Sequence, residues 1–304
     1  MMMMIIVNFF LLYISTNIAK KITVPKSVCV FGCSGGLGQQ ICNSFIRQGA
    51  NVNAVTRNIE AAMKYPILSN LAQNKNGNLK SQFAFHTADA RDILSLTALG
   101  DALAKSSCVV ISVGTTAFPS SKWENGKSSP EIACYQTVVN ILDALDNLKW
   151  HSAKKEEKKI ILISSVGVKR CDKFPYKLLN SYEVLDQKRR SEEFLFQRAQ
   201  ERGFNAVVCR PGRLVGEPFT NFDLAKLFKI DQGENKGIVI NRDDVVDGDV
   251  QRLDAAESVV RIASSPTLSP KKGVATVVYS IVNKKGPSPS EDEWTSLIDS
   301  ISQP

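Results

Sequence analysis

Short apolar runs alternate with longer stretches of helical spacing from about residue 28 to residue 210. The runs cover 28–31, 51–55, 82–86, 108–113, 159–164 and 205–209, and most are rich in Val, Ile, Phe or Cys. Such short runs read as strands. Between them, 37–48, 92–105, 131–148 and 182–202 carry apolar residues three and four positions apart. In 131–148 these are Ile132, Tyr135, Val138, Val139, Leu142 and Leu145. Apolar strands separated by amphipathic helices predict βαβ units and a parallel sheet covered on both faces. Beyond Arg210 the alternation loosens. A turn-rich segment, a strand near 237–241, a helix at about 254–264 and a strand at 274–282 are predicted there. The tail at 284–290 carries Gly286, Pro287 and Pro289, with a short terminal helix after it. Segments 69–81 and 151–158 are polar and read as solvated loops.

The first strand runs into Gly32-Cys33-Ser34-Gly35-Gly36-Leu37-Gly38. Glycines at 32, 35 and 38 allow a sharp turn, a close backbone approach to a ligand, and tight packing of the next helix on the strand. A helix that starts there directs its positive dipole end at an anion such as a pyrophosphate. Placement between strand and helix gives the motif its weight.

Composition narrows the reading further. The chain has 304 residues, 43% apolar and 22% charged, enough for one large domain. Its formal charge of +8 is spread over Lys154-Lys155, Lys158-Lys159, Lys188-Arg189-Arg190 and Lys271-Lys272 rather than gathered on one aromatic-lined surface. That excludes nucleic acid as the expected partner and favours an anionic small molecule. Seven cysteines without a C-x-x-C pair, and only His86 and His151, argue for buried reduced thiols, Cys33 among them, and for no metal site.

Residues 1–19 differ from the rest. Positions 5–14 are almost wholly apolar, no charged residue precedes Lys20, and no acidic residue precedes Glu60. The run is too short to span a bilayer and suits a targeting segment. Delivery into a membrane-bounded organelle reconciles it with a reduced, soluble body; a misassigned start codon, with a cytoplasmic protein, does so equally.

Taken in order, Gly32–Gly38, Thr56-Arg57, Ala88-Asp89, Ser112-Val113-Gly114-Thr115, Ile163-Ser164-Ser165-Val166-Gly167-Val168, Lys188 with Glu192, and Arg210-Pro211-Gly212-Arg213-Leu214 resemble an atypical short-chain dehydrogenase/reductase of the NmrA-like, NAD(P)-binding type. The resemblance covers roughly residues 26–283. It implies a Rossmann-type, doubly wound parallel sheet, with the core ending near 210 and a small substrate-side lobe over 211–283. The stretch Gly114–Pro119 with Trp123 and Tyr135 is similar to a subgroup frequent in photosynthetic organisms, which points to a plastid. That subgroup has an aspartate before the tyrosine, where Cys134 stands here.

The resemblance implies that the glycine loop, Gly114, Thr115 and Pro211 contact a nicotinamide dinucleotide, and Asp89 its adenine. A helix N-cap is an equally good account of Asp89. The second strand ends in Thr56-Arg57 where an NAD site carries an acid. A guanidinium there suits a 2′-phosphate, so NADP(H) is expected over NAD(H).

Reductases of this type use a tyrosine with a lysine four residues on, which places both on one helical face. None of the six tyrosines has that lysine. Lys188 matches the family lysine, which leaves Val184 at the tyrosine position. Tyr182 lies about 240° from Lys188 around a helix and approaches only if it precedes the helix. Candidate donors are therefore Lys188, Ser165 or Ser164, and Tyr182. Two functions stay open: an NADPH-dependent reductase of a small quinone, enone or carbonyl, and a non-catalytic NAD(P)-binding scaffold, assembly factor or redox sensor with an organelle protein partner.

Overall fold

The computed structural model describes residues 24–73, 82–152, 157–218, 235–265 and 274–302. The leader at 1–19, residues 74–81 of the polar segment 69–81 and residues 153–156 of the segment 151–158 lie outside them.

The apolar runs become strands β1 (Ser27–Phe31), β2 (Asn51–Thr56), β3 (Phe83–Thr87), β4 (Cys108–Ile111), β5 (Lys159–Ile163) and β6 (Asn205–Pro211). These pair in parallel in the order β3-β2-β1-β4-β5-β6. Two strands from the last part of the chain, β8 (Gly237–Asn241) and β10 (Thr276–Lys284), extend this sheet. β10 lies parallel to β6, and β8 is an antiparallel edge. The segment after Arg210 thus lengthens the main sheet. A separate parallel pair, β7 (Arg213–Val215) with β9 (Asp249–Gln251), sits beside it.

Period-two alternation divides the core in two. Val28, Val30, Cys108, Val110, Ile161, Ile163, Val207 and Cys209 face one layer with helix α1 (Gly36–Arg47), helix α9 (Arg252–Ser264) and terminal helix α10 (Glu291–Ser302). Cys29, Phe31, Val109, Ile111, Ile160, Leu162, Ala206 and Val208 face the other, built on α6 (Thr137–Asn147) and α8 (Val184–Arg202). Both faces being covered explains why the strands read as continuous apolar runs.

Several elements depart from the pattern. Residues 59–63 and 66–72 form short helices α2 (Ile59–Met63) and α3 (Pro66–Ala72), the second reaching into the segment read as a loop. The predicted helix 92–105 divides into α4 (Ile93–Thr97) and α5 (Gly100–Lys105), with Gly100, a poor helix former, at the restart. Glu131–Gln136 is a π-helical turn leading into α6. A single-turn helix α7 (Tyr176–Leu179) precedes α8. α8 itself begins at Val184 rather than 182, because the Asn180 side-chain oxygen accepts from the Leu185 and Asp186 N–H groups at 2.9 and 3.2 Å. No helix among the described residues is long and apolar enough to cross a membrane.

Candidate functional site

Strand order reverses between β1 and β4, and the crevice at their carboxyl ends is where ligands bind such sheets. The glycines shape this crevice in different ways. Gly32 has φ +77°, and a Cβ there would stand 2.5 Å from the Ser112 carbonyl oxygen, so the turns leaving β1 and β4 touch only because residue 32 has no side chain. At Gly38 a Cβ would fall 2.1 Å from the Gly32 carbonyl oxygen, which lets α1 sit directly on the turn. Gly35 is exposed, and a Cβ there would meet only the Gly32 oxygen, at 3.2 Å. It is the N-cap of α1, and no side chain caps that helix. The first-turn N–H groups of α1 therefore form a cradle of donors with the dipole behind it. Ser34 anchors the loop by accepting from Gln39 Nε2 at 3.1 Å. Cys33 and Leu37 are buried, and burial pushes the Cys33 thiol up to about 12, so this cysteine packs rather than reacts.

Beyond β2 the charges form a chain. Thr56 is buried and its hydroxyl lies 3.3 Å from the Asn58 carbonyl. Arg57 is half-exposed and places Nη1 2.7 and 2.9 Å from the two Glu124 carboxylate oxygens. Glu124 also accepts from Arg91 Nη1 at 2.7 Å. Arg91 in turn clasps Asp89, with Nε 2.9 Å from Oδ1 and Nη2 2.5 Å from Oδ2, and donates to Ser128 Oγ at 2.9 Å. The Arg91 bonds hold the Asp89 carboxyl below its usual range. Burial pushes the Glu124 carboxyl up, but the bonds from Arg91 and Arg57 outweigh it and leave the group lowered. The cap of α4 is Asp92, whose carboxylate accepts from the Leu94 N–H at 2.9 Å; Asp89 is not that cap.

A second group of residues gathers at the ends of β4 and β5. Lys188 Nζ donates to the Ile163 and Ser164 carbonyls, both at 3.3 Å. A Cβ on Gly114 would lie 3.8 Å from that ammonium. The hydroxyls of Thr115 and Ser164 are buried without a hydrogen-bond partner. Ser165 Oγ donates to the Val166 carbonyl at 3.0 Å. Pro211 is buried at the end of β6 and its carbonyl accepts from the Val166 N–H at 3.1 Å. Behind Lys188, Glu192 and Arg210 form a buried ion pair at 2.5 Å that ties α8 to β6.

Tyr182 precedes α8, where the sequence allowed it to approach Lys188. Its ring packs edge-on against Trp123 and Phe118, with centroids 5.6 and 6.3 Å away. Val184, four residues before Lys188, is buried with Cys134, Val166, Val168, Tyr176 and Leu185. A cavity of about 330 Å³ lies elsewhere, lined by Val215, Asn235, Gly248, Asp249, Gln251 and Asn283, none of them a candidate residue above.

A family model described as NAD(P)H-binding matches residues 32–266, more than half of the chain. The chain belongs to this NAD(P)H-binding family. Solved structures share its fold. An oxidoreductase from Lactococcus lactis is 15% identical, with a TM-score of 0.59 over 90% of this chain and 97% of that one. An alcohol dehydrogenase from Thermococcus sibiricus, complexed with 5-hydroxy-NADP, is 16% identical, with a TM-score of 0.55 over 87% and 99%. A 3-oxoacyl-[acyl-carrier protein] reductase from Brucella melitensis with bound NAD is 19% identical, with a TM-score of 0.55 over 83% and 89%. No curated protein sequence matches.

The residues present fit a nicotinamide dinucleotide. The uncapped α1 terminus beside exposed Gly35 offers donors for a pyrophosphate. The orphaned Thr115 and Ser164 hydroxyls beside Lys188 offer groups for ribose hydroxyls or a substrate oxygen. Glu124 and Arg91 were not singled out from the sequence. The one local signal was Asn125-Gly126, a turn dipeptide that bends the chain back toward β2.

Proposed function

We propose that the protein is an NADPH-dependent reductase of a small quinone, enone or carbonyl compound, an atypical short-chain dehydrogenase/reductase that works without a Tyr-x-x-x-Lys pair. The observation carrying this reading is Lys188 at the junction of β4 and β5, beside Gly114 and two unpartnered hydroxyls, with Val184 one helical turn earlier. When bound, the dinucleotide supplies the hydride. The residues of this chain do the rest. Gly35 and the α1 terminus hold the pyrophosphate, Lys188 and Thr115 orient the ribose next to the nicotinamide, and Asp89 lies at the adenine end. Ser164 is placed to donate to a substrate oxygen, and Ser165 could join it after turning from the Val166 carbonyl. Arg57 carries the preference for NADP(H), because a guanidinium offers two charge-assisted bonds to a 2′-phosphate and the strand end has no acid for a ribose hydroxyl.

A second reading is a non-catalytic NAD(P)-binding scaffold or redox sensor. It draws on Val184 in the hydrophobic cluster and on the Tyr182 ring held against Trp123 and Phe118. The leader at 1–19 and the likeness to a subgroup of photosynthetic organisms make an organelle, and a plastid in particular, the proposed location. A fluorescent fusion of the full chain tests that assignment. For the function, the full-length protein is assayed for NADPH oxidation against a panel of quinones, enones and carbonyls. Turnover with any of them supports the reductase. Tight NADPH binding with no turnover across the panel supports the scaffold.

A further inference from the structure

The Arg57–Glu124 contact joins two segments distant in sequence at the point where the proposed function places the 2′-phosphate. Both Glu124 oxygens lie on one Arg57 nitrogen, Nη1, at 2.7 and 2.9 Å, so an anion already occupies this end of the guanidinium. The loop is bent to reach it. Glu124, Asn125 and Gly126 have φ of +50°, +56° and +90°, a left-handed run that two non-glycine residues adopt only when their surroundings require it. The Lys127 N–H on the Glu124 carbonyl, and the Ser128 N–H on the Trp123 carbonyl at 2.9 Å, fix the bend.

The two ends of the charge chain are unequal. Arg91 has 24% of its side chain exposed and keeps Asp89, Ser128 and the Lys127 carbonyl as further partners. Arg57 is 51% exposed, and its ion pair is with Glu124. An exposed pair of this kind is easily exchanged, whereas the Arg91 end stays tethered.

We infer that Glu124 sets the cofactor preference together with Arg57: its carboxylate occupies the 2′-phosphate position on Arg57, and a 2′-phosphorylated adenosine must displace it while Arg91 retains it. This rests on the proposed NADP(H) reading. A 2′-hydroxyl asks for no displacement, since it can donate to the Glu124 carboxylate where it stands. Glu124 therefore narrows the advantage that Arg57 alone would give NADP(H) over NAD(H). The displacement is also felt next door. Trp123 precedes Glu124, its indole N–H donates to the Thr116 carbonyl at 3.1 Å, and its ring meets Tyr182. Exchange at the phosphate end thus reaches the Trp123 indole and the Tyr182 ring packed on it. The other two tryptophans, Trp150 and Trp294, are buried in the core.

The test titrates the full-length protein with adenosine 2′,5′-bisphosphate and with 5′-AMP by calorimetry, while following tryptophan emission. The ratio of the two affinities is the readout. Glu124→Gln is expected to widen the ratio about twofold to fivefold, the range an exposed ion pair is worth. Glu124→Asn, a residue type at home in the left-handed region, is expected to act in the same direction and guards against a folding artefact. In an Arg57→Ala background, Glu124→Gln should widen the ratio less than in the parent, because no cation is left for the carboxylate to occupy. The bisphosphate, but not AMP, should alter an emission signal that Trp123→Phe removes. If Arg57→Ala collapses the ratio while both Glu124 variants leave it unchanged or narrower, the inference is overturned and the NADP(H) reading stands. If Arg57→Ala leaves the ratio unchanged, the NADP(H) reading is overturned, and this inference with it.

Discussion

Replacing Gly35 with aspartate should separate folding from binding, because the two respond to different features of one position. Gly35 caps α1 with φ −69° and ψ 155°, a conformation open to any residue, and it is exposed. Aspartate is a better N-cap than glycine by a few tenths of a kcal/mol, and a carboxylate at a helix N-terminus contributes about 0.3–1 kcal/mol more. Against this, the new Cβ would stand 3.2 Å from the Gly32 carbonyl oxygen, which must shift slightly. The net change in stability should lie within about 1 kcal/mol of zero. Binding moves much further. A carboxylate about 4 Å from a phosphate charge, at an effective dielectric of about 20, costs up to about 4 kcal/mol. A loss of at least a hundredfold in NADPH affinity, about 2.7 kcal/mol, is expected. Gly35→Ala adds bulk without charge and should lose less. Gly38→Ala should behave oppositely and unfold more easily, by about 1–3 kcal/mol, since its Cβ would fall 2.1 Å from backbone. Urea denaturation and calorimetric titration of the same preparations read both quantities. A Gly35→Asp protein with the parental urea midpoint that binds NADPH within about threefold of the parent would refute the placement of the pyrophosphate.

The remaining predictions concern the substrate end and the charge chain. Lys188→Ala should weaken NADPH binding or turnover about tenfold, the scale of a charge-assisted hydrogen bond, while Tyr182→Phe should leave both nearly unchanged. A hundredfold loss of turnover in Tyr182→Phe would restore a tyrosine-dependent mechanism. Acid should weaken the Arg91 cluster. The Asp89 and Glu124 carboxyls lie below their ordinary values of 3.8 and 4.5, so the stability they contribute is complete above those values and lost as pH falls through the lowered ones. Both groups are partly solvated, so the contribution is about 1 kcal/mol. The stability difference between the parent and Arg91→Met should hold steady from pH 7 to about pH 5 and shrink below; a difference independent of pH would contradict this.

Much of the fold was legible because each βαβ unit leaves a periodic trace. Strands buried on both faces must be apolar throughout, and helices on those faces must be amphipathic, so β1 to β6, α1, α6 and α8 follow from the pattern. What escaped lacks such a trace. α2 and α3 are too short for a period to register, and the start of α8 depends on one Asn180 oxygen rather than on apolar spacing. The membership of β10 and β8 in the main sheet depends on long-range pairing that no local window holds. The same division runs through the site. The glycine loop announces itself because its constraints are local, apart from the approach to Ser112. Glu124 did not, since its meaning comes from Arg57 across the sheet ends, and a glutamate in a polar loop is otherwise unremarked.

Calorimetric titration of the full-length protein with NADPH and with NADH compares the two dinucleotides at this site directly. NADPH should bind several-fold more tightly, and Arg57→Ala should erase most of that difference while leaving NADH affinity close to the parent's. Equal affinities for the two dinucleotides in the parent protein would contradict the assignment of Arg57, and binding of neither would contradict the site.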